Sequence, residues 1–159
     1  MNNLALIELE EPLKCSPMTS PICLPFNMKE LKFDNKLSIA GWGSNAFAGY
    51  SRFYKDEYQI LREGDIEKLD TSKCNNSAVP KAFHGQYLCA FSKFQQACHV
   101  DIGGSAFARS GKSFYAIGLV SHTSIPKIRP KQPITLTNVN HFAGFIRHFV
   151  RKFPEPWSK

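Results

Sequence analysis

The densest collection of reactive side chains lies between residues 97 and 109, A-C-H-V-D-I-G-G-S-A-F-A-R. A thiol (Cys98), an imidazole (His99), a carboxylate (Asp101) and a hydroxyl (Ser105) fall there beside the pair Gly103-Gly104. Nucleophilic acyl transfer needs a hydroxyl or thiol, a base within hydrogen-bond reach of it, and a third group that orients the base. The residue at the head of the loop, however, is Ile102, whose side chain has neither a lone pair nor a labile proton.

Other chemistries find less support. The cysteines Cys15, Cys23, Cys74, Cys89 and Cys98 include no C-x-x-C pair, which argues against a zinc ribbon or a thioredoxin-type redox motif. Their odd number leaves at least one thiol without a partner in the chain. Ser110-Gly111-Lys112-Ser113 imitates the end of a nucleotide-binding P-loop, but the glycine needed five residues before Gly111 is Ala106, and a hairpin turn explains the residues. Neither a metal nor a cofactor is expected.

These groups must be positioned by short strands. Leu4-Ala5-Leu6-Ile7 with Leu9 reads as an apolar strand stopped by Pro12, and a connector punctuated by Pro17, Pro21 and Pro25 follows. Lys36–Ala40 resumes strand character and runs into Gly41-Trp42-Gly43. Residues 45–55 have the composition of a surface loop. Further strands are expected over Tyr58–Leu69, Gln86–Phe91, Ser105–Arg109, Phe114–Ser121 and Ile134–Val139, with Gly and Pro signals between them. At the end, Phe142, Phe145, Ile146, Phe149, Val150 and Phe153 repeat at helical spacing, with Arg147, His148, Arg151 and Lys152 on the other face. Many short strands closed by one terminal helix imply a small all-β barrel.

At 159 residues and 43% hydrophobic, the chain has material for one core. Lys and Arg number 20 against 13 Asp and Glu, a formal charge of +7, densest at 127–131 and 147–152. That balance suits nucleic acid, heparin-like polyanions or anionic lipid as partners. The clusters carry no specific nucleic-acid motif, and a solvated surface is the simpler reading. No apolar run approaches the roughly 18 residues that span a bilayer, and the acids in MNNLALIELEEPLK do not suit an export signal.

Six markers occur in the order found in trypsin-like serine proteases of the chymotrypsin fold, and the chain resembles that family over nearly its whole length. Residues 3–9, N-L-A-L-I-E-L, resemble the strand that carries the catalytic aspartate. Residues 20–25, S-P-I-C-L-P, are similar to the inter-barrel connector. Gly41-Trp42-Gly43 resembles the family's G-W-G, Leu88-Cys89-Ala90 its L-C-A strand, residues 97–104 its A-C-Q-G-D-S-G-G loop, and residues 118–121 the start of its G-L-V-S-W-G strand. The resemblance implies the last strand of a first barrel and a connector over 1–30, a six-stranded second barrel over 31–140, and a C-terminal helix and tail over 141–159. It also implies a secreted protein and a peptide-hydrolysing ancestry, the catalytic histidine lying upstream in the family.

Carried over position by position, the resemblance places Ile102 at the nucleophile and Asn3 at the aspartate. Loss of a nucleophile alone costs roughly a million-fold in turnover. An amide in place of the aspartate costs about ten-thousand-fold, through the wrong histidine tautomer. Val100 stands at the oxyanion glycine, where a β-branched residue is disfavoured at φ > 0. Gln96 occupies the base of the specificity pocket, Ser121 and His122 line it, and Thr123 and Ile134 replace its wall glycines and would fill it. Asp101, which in active relatives pairs with a cleaved N-terminus, is expected to be solvated or to find another donor.

Ser105 as a relocated nucleophile, with His99 close in sequence, is disfavoured, because its family position begins an outgoing strand. The resemblance further implies a Cys74–Cys89 disulfide, a bridge lost at Leu37 and Ala108 with apolar residues at both ends, and a half-lost bridge at Cys98. Cys23 pairs in many relatives with an upstream segment, and the pairing of Cys15 stays open. The expected outcome is a proteolytically inactive homologue that acts as a binding or regulatory protein, engaging a protein through the former cleft or polyanions through its basic surface. The alternative is a fragment of an active or decaying secreted endopeptidase.

Overall fold

A computed structural model describes residues 3–27, 29–43, 60–74, 81–93, 97, 101–122 and 133–153. Six antiparallel strands, β1 (Lys36–Gly41), β2 (Arg62–Leu69), β3 (Tyr87–Phe91), β4 (Ser105–Ser110), β5 (Ser113–His122) and β6 (Ile134–Asn138), close into a barrel in the order β1-β2-β3-β6-β5-β4. Closure leaves the barrel no unpaired edge. A short helix α1 (Ala143–Phe149) follows a 3-10 turn over Val139–Phe142.

The inward residues are the apolar members of each alternating strand. In β1, Leu37 and Ile39 are buried while Lys36 is exposed. Ala106 and Ala108 of β4, Ile117 and Val120 of β5, and Ile134 and Leu136 of β6 meet them in one core. The register Ser38↔Phe107 and Ile39↔Ala106, continued by one residue, sets Leu37 against Ala108. The positions of the lost family bridge are therefore a buried apolar contact across the β1–β4 seam. Cys74 and Cys89 are joined by a disulfide, as the resemblance implied.

Ser110 and Ser113 face one another across a two-residue turn, with Gly111 at φ 61°. Glycine at the first central position with positive φ suits a type II′ hairpin, so the P-loop look-alike is a turn. The connector runs parallel beside β5 at Tyr115, where the Cys23 N–H donates to the Phe114 carbonyl and the Ala116 N–H donates to the Cys23 carbonyl, both at 2.9 Å. Cys15 and Cys23 are free thiols, the first exposed and the second half-buried.

Two expectations need correction. Leu4–Leu9 forms no strand among the described residues, and Leu6, Ile7 and Leu9 are exposed. A strand is stabilised by its ladder, and no described segment pairs with this one. The helix is also shorter than its periodicity implied. It ends with Val150 in extended conformation, and Phe145, Phe149 and Phe153 are exposed, while only Phe142 and Ile146 of the repeat reach the core. Its first turn has no side-chain cap, so one turn of tertiary packing has to hold it.

Candidate active site

The site is organised by the end of β5. Val120 pairs with Leu136 and His122 with Thr135, so Ser121 is the extra residue of a β-bulge. Bulges release a side chain from the ladder and re-aim it, and they recur beside active sites. The Ser121 hydroxyl accepts a hydrogen bond from the Asn3 amide Nδ2 at 2.6 Å, and the Asn3 carbonyl accepts one from Thr137 Oγ1 at 2.9 Å. These two bonds hold the residue at the family's aspartate position against β5 and β6. They also cover Thr137, which is 1% exposed although polar.

The neighbouring residue, Val120, anchors the loop. The Gly103 N–H donates to the Val120 carbonyl and the Val120 N–H to the Gly104 carbonyl, both at 2.8 Å. The turn closes with Gly104 N–H to the Asp101 carbonyl at 2.9 Å. Gly103 sits at φ 90°, a conformation that side chains resist, which is the physical reason for glycine at this place in the run. Ile102, at the crest, is 50% exposed. Consecutive residues of β5, Val120 and Ser121, thus fix the Ile102 loop and Asn3 respectively.

Asp101 has found other donors. Its Oδ1 accepts from the backbone N–H of Trp42 and of Gly43, each at 2.9 Å, tying the loop to the end of β1. A Cβ on Gly41 would overlap the Asp101 carboxylate, so glycine there is a steric requirement of this contact. The G-W-G run and the D-x-G-G run, matched separately in the sequence, are two sides of one contact.

The remaining expected site residues are distributed as follows. Ile134 is 2% exposed and belongs to the core, and its carbonyl faces Cys74 Sγ at 3.8 Å. Ser105 Oγ is buried without a hydrogen-bond partner, so among the described residues no base is placed to activate it. Gln96, Cys98, His99, Val100 and Thr123, and the side chain of His122, lie outside the described residues, as do 127–131 of the basic clusters. The Asn3–Ser121 contact was not legible in the sequence, because 118 residues separate the partners; the only signal was the S of the G-L-V-S run.

An antiparallel barrel of this strand order, with its D-x-G-G turn seated on the end of its fifth strand, is half of a chymotrypsin-fold serine protease homologue. The family model for trypsin matches residues 1–146, and the chain belongs to the trypsin family. It is 32% identical to human granzyme M over 117 residues, covering 70% of this chain and 42% of that protein. It is 30% identical to phenoloxidase-activating factor 3 of Holotrichia diomphalia over 154 residues, covering 94% of this chain and 42% of that one. Rat granzyme M is 29% identical over 160 aligned positions, covering 98% of this chain and 58% of its own length. The chain spans about half the length of these curated relatives.

Proposed function

We propose that this trypsin-family chain does not hydrolyse peptide bonds and acts as a binding or regulatory protein, engaging a protein partner through the former substrate cleft. The observation that carries the reading is Ile102: a half-exposed hydrocarbon at the crest of a turn held by the Gly103–Val120, Val120–Gly104 and Gly104–Asp101 backbone hydrogen bonds. Attack on a carbonyl needs an atom that can give a lone pair and lose a proton, and Ile102 offers neither. Asn3 supports the reading independently, because its amide donates to Ser121 and carries no charge to stabilise an imidazolium.

A secreted location is supported by the Cys74–Cys89 disulfide, since such bonds persist in oxidising compartments. It is supported also by a relative named as a venom serine protease of Polistes dominula. Among the described residues no helix is long and apolar enough to cross a membrane. The deciding experiment treats purified protein with a fluorophosphonate probe and with a panel of peptide substrates. Neither labelling nor turnover is expected, and stoichiometric labelling of any serine would overturn the reading. The exposed row Leu6, Ile7, Leu9 and Leu13 favours a second reading, a decaying endopeptidase half with no binding role. Recovery of a specific protein partner whose binding is lost when Ile102 is changed to Asp would rule that out.

A further inference from the structure

We propose that the groove beside the β4–β5 hairpin binds a sulfated saccharide. Lys32, Phe33, Asp34, Lys36 and Arg109 line an open depression of about 550 Å³, within the range of about 300–1,000 Å³ typical of small-ligand sites. Arg147, His148, Arg151 and Lys152 of the C-terminal basic cluster do not line it. The proposal also stands whether or not the chain hydrolyses peptides.

The barrel assembles the groove from distant residues. The β1–β4 register, Ser38↔Phe107 and Ile39↔Ala106, continued by two residues sets Lys36 directly across from Arg109. Both are exposed, while their neighbours Leu37 and Ala108 point into the core. Like charges brought together across an antiparallel pair are unfavourable; Glu67 opposite Lys36 and Asp34 in the groove offset part of the charge of Lys32, Lys36 and Arg109, and an anionic ligand would offset the rest. Lys32 is brought alongside because its backbone N–H donates to Ser110 Oγ at 3.0 Å, fastening the connector to the end of β4.

The acids nearby are Asp34, in the groove itself, and Glu67, which faces Lys36 from β2. Neither forms an ion pair with Lys32, Lys36 or Arg109 among the described residues. Arg109 donates from Nε to the Gly111 carbonyl at 3.1 Å, which orients the guanidinium and leaves its terminal N–H groups for a ligand.

The mixture of side chains selects the ligand. A guanidinium takes two oxygens of a sulfate ester at once, and two ammonium groups supply point charge beside it. Phe33 is packed in part against the core and in part lines the groove, where its exposed portion would meet the apolar side of a sugar ring, and the Asp34 carboxylate would accept hydrogen bonds from sugar hydroxyls. A polyphosphate shares the anionic chemistry but uses neither Phe33 nor Asp34.

The test measures binding of a heparin-derived hexasaccharide to the 159-residue chain by titration calorimetry. The variants K32Q/K36Q/R109Q and R147Q/R151Q/K152Q each remove three positive charges, and F33L keeps the packing but loses the ring. We expect at least ten-fold weaker binding for the first variant, less than two-fold change for the second, and three-fold or greater weakening for F33L. The desulfated hexasaccharide should bind at least ten-fold more weakly. Equal weakening by the two triple variants would overturn the proposal by reducing it to net charge. Inositol hexakisphosphate binding as tightly as the saccharide and indifferently to F33L would reassign the groove to polyphosphates, and no measurable saccharide binding would end the proposal outright. Melting curves showing all three variants folded accompany the titrations.

Discussion

Removing the carboxylate of Asp101 should cost the fold more than its partly exposed position implies. Oδ1 accepts from two backbone N–H groups at 2.9 Å, and a hydrogen bond to a charged group contributes about 1.5–3 kcal/mol. Trp42 is exposed, so water recovers most of its N–H bond, whereas Gly43 is half-buried and loses more. Together these give about 2–4 kcal/mol for Asp101→Ala. At about 2–4 °C per kcal/mol for a chain of this size, the central figure of about 3 kcal/mol lowers the melting temperature by about 6–12 °C.

Asp101→Asn keeps an acceptor oxygen and loses only the charge, so about half that loss is expected. Gly41→Ala displaces the carboxylate sterically, and it should cost as much as Asp101→Ala alone yet little more in the Asp101→Ala background, a coupling of about 2 kcal/mol in a double-mutant cycle. The assay is thermal and urea unfolding followed by circular dichroism. A fall of under 2 °C for Asp101→Ala, or strict additivity with Gly41→Ala, would refute the assignment of the loop anchor to this contact.

Three further outcomes are expected. Ile102→Ser should not restore hydrolysis, because Asn3 alone leaves a deficit of about ten-thousand-fold; release of p-nitroaniline from peptide substrates above the wild-type background would contradict the reading. Replacing Cys74 and Cys89 together by Ser frees a loop with a sequence separation of 15, for which the chain-entropy account gives a loss of about 3 kcal/mol in urea unfolding. Asp70, at the start of the 3-10 turn Thr71–Lys73, is held below the ordinary carboxylate value of 3.8 by hydrogen bonds from the Ser72 side chain and its backbone N–H. A lowered folded-state value means stability present above that ordinary value and lost as pH falls through the folded one. Asp70→Ala should therefore be less stable than wild type at pH 7 and indistinguishable from it in strong acid, as read by melting temperature across pH.

What the sequence made legible was whatever depended on neighbours along the chain. The strands from Lys36 onward follow the alternation and turn signals closely, since inward Leu37, Ile39, Ala106 and Leu136 leave little choice of face. Where a segment depends on a distant partner, periodicity misled. Leu4–Leu9 has strand composition but no described ladder partner, and Phe145 and Phe149 have helical spacing but face solvent. The site behaved in the same way. The D-I-G-G run was recognisable as a loop from its letters, whereas the Ser121 bulge, the Asn3 contact and the donors of Asp101 all arise from register and closure between segments far apart.

The pairing of Leu37 with Ala108 has a consequence for how the molecule meets reducing agents. A seam closed by hydrocarbon has no electrochemical weakness: thiols that cut a cystine leave it untouched. Among the described residues, reductive sensitivity is thereby confined to the Cys74–Cys89 clamp in the middle of β3, on the far side of β2 from the β1–β4 seam. Mild reduction should loosen the loop ending at β3 while the β1–β4 seam that carries the Lys36–Arg109 groove keeps its register.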